Sequence, residues 1–409
     1  MKCKSCAMAC VVVALLLGFA MVSAQENDNQ DLAGAITSGK AKLDLRYRYE
    51  FVDQDGFADN ANASTLRLRL NYQTGTWRAW SAFVEFDQVI EVLFDDFNSA
   101  AGTSNPSRNV YPVVADPDGS DLNQLYFQYA AGNEWKARIG RQRILLDDER
   151  FVGGVGWRQN EQTYDGISVN YGGFAGTEVF YSYVANVNRI LGDKVAAGDN
   201  SQDTHLLNVN VGLVNDWKFI GYAYIIDNDD VATFSTSTFG AQLSGKLNSG
   251  DDQFNWLGEV ATQSDNANNP GNFRATYFRI QGNWSRKNLS AGIGFESLGG
   301  DNGVGFQTPL ATLHPFNGWA DQLLATPGTG LEDLYLKAGY KTAGWNMQLV
   351  YHDFSPETGG GDVGSEIDLS AGRKLGDRYG LLLKFAMFDA DDAAFTDTTK
   401  FWLMLTAGF

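Results

Sequence analysis

Beyond residue 10 this chain of 409 residues has no cysteine, because Cys3, Cys6 and Cys10 all fall in its opening stretch. The rest of the chain therefore relies on neither disulfides nor thiolate metal sites. Proline is scarce, with eight residues, and histidine scarcer, with His205, His314 and His352 alone. Three scattered histidines leave little material for an acid/base site. His352-Asp353 is half of one at most, and no serine or acid pattern completes it. Basic residues are in deficit, with a formal net charge of -18, which removes the concentrated basic face that nucleic acid requires. After Gln25 there is also no apolar run of roughly 18 residues, so no transmembrane helix is expected.

Lys2 and Lys4, the apolar run from Val11 to Leu17, and Val22-Ser23-Ala24 before Gln25 have the order of a secretory signal peptide over residues 1–24. Its cleavage removes two lysines and no acid, taking the net charge to -20. Residues 25–41 read as a short periplasmic N-terminal segment, and 42–409 as one domain.

What the chain does contain is glycine (45 residues), aromatic residues (13%) and strict alternation. Leu43, Leu45, Tyr47, Tyr49 and Phe51 share one face of a strand, and Asp44, Arg46, Arg48 and Glu50 the other. Leu66, Leu68, Leu70 and Tyr72 likewise oppose Arg67, Arg69 and Asn71. Side chains along a strand point alternately to two faces, so each such segment has one apolar and one polar wall. About eighteen segments of this kind can be placed, each roughly the length that crosses a bilayer at a tilt. They fall at 42–51, 65–73, 78–87, 122–130, 135–143, 162–171, 177–187, 205–213, 217–226, 237–247, 254–263, 273–284, 288–297, 331–340, 344–352, 364–374, 380–388 and 399–409.

The connections alternate strictly between long and short. Short ones such as "QTGT", "NSGDD" and "KTAG" are periplasmic turns, and long ones such as 88–121, 144–161 and 298–330 are external loops. This is the pattern of an all-β transmembrane antiparallel up-and-down barrel in the outer membrane of a Gram-negative cell. The last strand, "KFWLMLTAGF", ends on an aromatic residue. It resembles the C-terminal signature read by the outer-membrane assembly machinery, which makes Phe409 the point of contact.

Residues 139–166, "IGRQRILLDDERFVGGVGWRQNEQTYDG", resemble the signature of the alginate-export outer-membrane porin family, and "KLDLRYRYEFVDQDGF" with "TLRLRLNY" resembles that family's opening hairpin. The resemblance implies a passive pore for an anionic polysaccharide or its oligomers, such as alginate or other uronates, lined by arginine and partly closed by loops. Pore-lining or substrate-binding residues would then be Arg46, Arg48, Arg67, Arg69, Arg138, Arg279, Lys337 and Lys384. The guanidinium fork suits carboxylates, and an arginine facing lipid near the midplane would cost about 2–4 kcal/mol.

The alternative for the same arginines is bracing across strands in a general, weakly selective porin, because acids including Glu85, Glu259, Glu296, Glu366 and Asp368 share the inner wall. An outer-membrane barrel enzyme is a further alternative. Asp147, Asp148, Glu149, Arg150, Trp157 and Arg158 belong either to an inward-folded constriction loop or to a salt-bridged latch shaping an external one. Asp116, Asp118 and Asp121 resemble a fragment of a calcium loop without its closing glutamate, a weak metal candidate in an external loop. No redox or nucleotide cofactor is suggested. The expected partners are outer-membrane lipid, lipopolysaccharide and an anionic oligosaccharide.

Overall fold

The computed structural model describes residues 31–100 and 106–409, so the signal-peptide expectation for 1–24 lies outside the described residues. The strands run in chain order as β1 (Lys40–Gln54), β2 (Ala61–Gln73), β3 (Trp80–Asp96), β4 (Gly119–Ala131), β5 (Trp135–Gln142), β6 (Thr163–Phe174), β7 (Thr177–Asn188), β8 (Asp199–Gly212), β9 (Lys218–Ile226) and β10 (Thr236–Ser249). They continue as β11 (Asp252–Asp265), β12 (Arg274–Arg286), β13 (Leu289–Leu298), a small hairpin of β14 (Gly300–Asp301) and β15 (Val304–Gly305), β16 (Leu331–Thr342), β17 (Trp345–Ser355), β18 (Gly364–Leu375), β19 (Tyr379–Ala390) and β20 (Thr398–Gly408). All but the hairpin join one 18-stranded antiparallel sheet. β1 pairs with β2 on one side and β20 on the other, so the sheet closes and leaves no edge. A barrel of this size leaves an interior wide enough for an aqueous channel unless something fills it.

Alternation fixes which wall each residue joins. On β2, Leu68 and Leu70 are 41% and 49% exposed on the outside, whereas Arg67 and Arg69 point inward and are buried. Similar outward apolar residues recur around the barrel, including Phe86, Ile139, Leu349 and Leu369. A continuous apolar belt is unfavourable in water and suited to lipid. The tight turns have the backbone that two-residue hairpins need. Between β16 and β17, Ala343 and Gly344 both have positive φ, 46° and 81°, matching the right-handed strand twist.

Most strands run a few residues past their expected bounds, and β3 and β8 extend furthest beyond an expected end. β3 runs to Asp96, well past the expected end at 87, because its pairing with β2 shifts register between Ala63 and Thr65 and resumes beyond the irregularity. The lost alternation in "VLFDD" hides this from the sequence. β8 begins at Asp199, so His205 sits within the strand and shares a hydrogen bond with the Tyr181 hydroxyl at 2.8 Å.

Before β1, a short helix α1 (Leu32–Thr37) is capped by Asp31, which accepts from the Gly34 amide at 2.6 Å. It docks on the first periplasmic turn, where the Gly75 amide donates to the Ala35 carbonyl at 2.8 Å. The barrel therefore starts at Lys40, slightly before the expected 42.

Candidate functional site

The opening hairpin sets two arginines against each other. Arg46 and Arg67 are direct cross-strand partners, with Arg48 one rung outward on β1 and Arg69 one rung inward on β2. Like charges in that register repel, so the wall needs acceptors from elsewhere. The connection from β5 to β6, residues 143–162, supplies them by folding into the barrel. Arg46 donates to the carbonyls of Gly156 (2.9 Å) and Arg158 and to the Gln159 side-chain oxygen (2.9 Å). Arg48 donates to the Trp157 carbonyl, and Arg67 to that of Gln159 at 3.4 Å. Three arginines thus hold four successive carbonyls of "GWRQ". Arg69 is chelated by Asp87 and also reaches Glu161 at 2.5 Å.

All four arginines point inward, as the alternation implies, but each is 8% exposed or less because the loop covers it. They do not form the open lining expected of them. Hydrogen bonds from charged donors contribute about 1.5–3 kcal/mol each, so together they form a strong clamp.

The other end of the same loop reaches the opposite wall. Asp147 accepts from Asn208 (2.7 Å), Asp148 pairs with Arg279 (2.7 Å), and Arg150 pairs with Glu296 (2.7 Å) while donating to Asn317 (2.9 Å). Glu149 turns to a second inward connection, residues 306–330 between β15 and β16. Its carboxylate accepts from the Thr312 hydroxyl at 2.5 Å, and its carbonyl accepts from the Thr312 amide at 3.0 Å. The two loops are further joined by a parallel bridge between Val152 and Leu310. Phe151 projects into Tyr222, Tyr277 and Phe306, with ring centroids 5.2, 5.2 and 5.9 Å away. This interior aromatic cluster corrects the expectation of a uniformly polar inner wall. β9 turns Ile220, Tyr222, Tyr224 and Ile226 inward together, against Phe151 rather than water.

Lys384 on β19 ties both loops to the wall. Its ammonium lies 3.7 Å from the ring centre of Trp319 and 4.3 Å from that of Trp157, one tryptophan from each loop, and 5.5 Å from that of Trp402 on β20. It donates to His314 Nε2 at 2.6 Å, and His314 Nδ1 donates in turn to Asp321 at 2.8 Å. The imidazole stacks on Trp157 at 4.2 Å and 4°. Burial and the neighbouring Lys384 depress the His314 pKa to about 3, against the pull of Asp321, so the ring is neutral and its two partners set the tautomer. Arg158 completes the junction, donating to Glu50 (3.0 Å) and Asp321 (3.1 Å). Burial would raise the Glu161 carboxyl, but Arg69 and Arg143 outweigh it and hold it at about 2.

The motif at 139–166 acquires a physical meaning here. β5 pairs with β6 so that Gly140 faces Gly166 and Arg141 faces Asp165, with a bidentate contact of 2.8 and 3.0 Å. Gly140 has φ of 121°, and a Cβ there would lie 2.3 Å from the Leu125 carbonyl oxygen. The strand ends at Gln142, which frees Arg143 to turn inward to Glu85 and Glu161. The motif is the point where the loop leaves the wall.

Several remaining positions differ from expectation. Asp116 is buried beneath the loop, accepting from the Gln159 amide at 2.8 Å, while Asp118 is exposed and Asp121 lies near Arg141 at 3.7 Å. The three do not converge on a point where a cation could sit between them. Among the described residues no group of three or more acids or histidines is placed to hold a metal. His352 pairs with Asp333 across the strand at 2.8 Å and not with Asp353, which is exposed. Arg279 lies between Asp148 and Glu259, and Lys337 over the Tyr335 ring at 4.4 Å.

Arg138 is different. It and its neighbours Lys136 and Lys218 have no acid within ion-pair distance among the described residues, and all three line one cavity of about 440 Å³. Lys136 shares the parity of Arg138 and was expected on the inner wall with it, whereas Lys218 was not among the expected inward cations. Lys218 opens a strand, where alternation gives little warning.

A closed antiparallel barrel with an apolar outer belt and inward-folded loops is an outer-membrane porin. Its fold is similar to OccK9 (OpdG) of Pseudomonas aeruginosa, with a TM-score of 0.71 at 15% identity over 92% of this chain and 100% of that one. It is also similar to OccAB4 of Acinetobacter baumannii, with 0.71 at 12% identity over 94% and 100%. OpdK of Pseudomonas aeruginosa, solved with vanillate, gives 0.69 at 15% identity over 90% and 98%. No curated protein matches the sequence. The sequence does match the Alginate export family over residues 40–290, and the chain belongs to that family.

Proposed function

We propose that this porin is a passive channel of restricted bore for small hydrophilic anions, with uronates and short uronate oligosaccharides as the substrate class. The observation that carries this reading is a set of inner-wall cations with no acid in ion-pair contact among the described residues, Lys136, Arg138 and Lys218, on a cavity where four cations, Arg143 included, outnumber the two acids Asp147 and Glu178 and the amide and hydroxyl groups of Gln142, Ser168, Asn170, Asn208 and Asn210 supply further hydrogen bonds. Such groups replace the hydration that a carboxylated sugar loses on entering a narrow passage. Membership of the Alginate export family supports the same substrate class. Two loops bridging the lumen favour short oligomers over a polymer of many linked rings.

For Arg46, Arg48, Arg67 and Arg69 a second reading is favoured by their own contacts. They act as braces: Arg46, Arg48 and Arg67 chiefly for the loop, and Arg69 both for the loop through Glu161 and across strands to Asp87, the bracing expected from sequence. The ion-paired histidines have no nucleophile in the contacts described, and the account requires no chemical step.

The test is the reversal potential of the purified protein in a planar bilayer under a KCl gradient, with and without uronates. Anion preference with concentration-dependent block by uronates is expected. A cation-preferring pore indifferent to uronates would overturn the proposal.

A further inference from the structure

Outside the barrel, at its periplasmic end, α1 stands against the wall and leaves a groove of about 530 Å³ between them. The helix is held through its backbone: the Tyr72 hydroxyl donates to the Ile36 carbonyl, and the Gly75 amide to that of Ala35. Its apolar side chains are only partly used. Ala35 is buried, but Leu32 and Ile36, four residues apart on one face, are 54% and 50% exposed and form one side of the groove. The other side is barrel wall. Ala82 on β3 faces Phe127 on β4, and Phe127 faces Ile139 on β5, so one small residue lies beside two large exposed ones. At ~4.8 Å per strand this row is roughly 10 Å across. Trp77 and Trp80 bound the groove at the first periplasmic turn, and tryptophan is the residue of the membrane interface.

That turn carries a second, independent observation. Trp77 and Trp80 exchange both backbone hydrogen bonds, at 2.8 and 2.9 Å, which leaves Arg78 and Ala79 as the central pair with φ of 49° and 68°. Such turns ordinarily take Asn-Gly, because other side chains are strained in the left-handed region. Arg78 nevertheless stands there, exposed, with its guanidinium 5.0 Å from the ring centre of Trp77. It has no acid in ion-pair contact among the described residues. The acid of the helix, Asp31, is taken up by the Gly34 amide. A cation thus stands beside an apolar groove at the level where headgroups give way to acyl chains.

We propose that this groove is a site for one phospholipid of the periplasmic leaflet. One acyl chain lies between α1 and the wall, against Leu32, Ile36, Phe127 and Ile139, and the phosphate accepts from Arg78. A guanidinium fork matches phosphate oxygens bidentately, and the groove covers the chain on two sides where open barrel wall covers it on one. With no acid paired to Arg78, a headgroup of net negative charge is preferred to a zwitterionic one. The bound lipid fastens α1, and with it the start of β1, to the bilayer. The site is independent of the solute that the lumen carries.

The experiment is native mass spectrometry of the purified protein released from detergent and titrated with phosphatidylglycerol or phosphatidylethanolamine. Wild type is compared with Arg78→Gln, with Ile36→Ser and, for loss of charge alone, with Lys287→Gln in the turn between β12 and β13. Folding is checked by heat-modifiable gel mobility, and either groove variant decides the question if the other does not fold. Wild type and Lys287→Gln should each retain one phosphatidylglycerol in preference to phosphatidylethanolamine. Retention should weaken about tenfold or more in Arg78→Gln and in Ile36→Ser. Equal retention by all four proteins would overturn the site, leaving only the lipid that surrounds any barrel. Equal loss in Arg78→Gln and Lys287→Gln would overturn it too, because charge alone would then account for binding. A wild-type dimer that Ile36→Ser dissociates would assign the groove to a second copy of the chain instead.

Discussion

Two stretches of the same inner wall carry clustered positive charge, and they differ in what that charge meets. On β1 and β2, Arg46, Arg48 and Arg67 are bound to loop carbonyls, and Arg69 to Asp87 and Glu161. On β5 and β9, Lys136, Arg138 and Lys218 face an open cavity. The clamp is all arginine, whereas two of the three cavity cations are lysines, with Arg138 held by the Gln128 side chain. A planar guanidinium can grip several carbonyls at once in fixed geometry, whereas a lysine ammonium is a mobile point charge that a passing solute can engage. An inventory of inward cations therefore does not measure how cationic the path is. The acceptors already present decide it.

The largest effect should come from releasing the clamp. Arg46→Gln with Arg48→Gln removes the donors to Gly156, Trp157 and Arg158 and leaves Glu50 and Asp116 buried with fewer cations. Breaking a buried pair from one side costs about 3–5 kcal/mol, so the loop should leave the lumen and single-channel conductance should rise severalfold.

Lys384→Met comes next. It removes the ammonium shared by Trp157, Trp319 and His314 but keeps the volume, so both loops should loosen while staying inside. A cation–π contact of this desolvated kind contributes about 2 kcal/mol. The expected signature is noisier current with a smaller rise in mean conductance.

Acid should act in the same direction. His314 is held at about 3 against an ordinary 6.5, and Glu161 at about 2 against 4.5. With the loops released, both groups would regain their ordinary values and bind protons more readily. The closed state is therefore fully favoured above pH 6.5. It loses the His314 contribution as pH falls from 6.5 toward 3, and that of Glu161 between 4.5 and 2. Conductance at constant KCl should rise from about pH 7 to about pH 4.

The smallest effect is expected from Arg141→Lys. It exchanges the bidentate grip on Asp165 for a single contact on a half-exposed pair. The cost should be at most ~1 kcal/mol of thermal stability with conductance unchanged. A large conductance change there would mean that the point where the loop leaves the wall also controls the gate.

Much of this barrel was legible in its sequence because a membrane enforces alternation. A charged residue on the lipid face is costly, so Arg46, Arg48, Arg67 and Arg69 could be assigned to the inner wall, and eighteen strands could be counted from their turns. Where both faces of a strand are apolar the rule is silent. β9, with Tyr222 and Tyr224 inward, is such a case, because Phe151 of the loop takes the place of water. Bulges also erase the signal, as at the extended end of β3. Least legible was the partner of each charge. The carbonyls that hold the arginines lie about a hundred residues away in "GWRQ", and a backbone acceptor leaves no mark on residue type. The cage around Lys384 similarly gathers Trp157, Trp319 and Trp402 from three distant segments. Tryptophan in such a chain is as readily read as part of an interfacial belt.

The central claim is that the arginines of β1 and β2 hold the loop while other cations meet the solute. Conductance and reversal potential of Arg46→Gln/Arg48→Gln beside the wild type, under one KCl gradient, test it most directly. The account predicts a larger conductance with the sign of the anion preference retained. An unchanged conductance with the anion preference lost would contradict it, because those arginines would then line the path and not hold it closed.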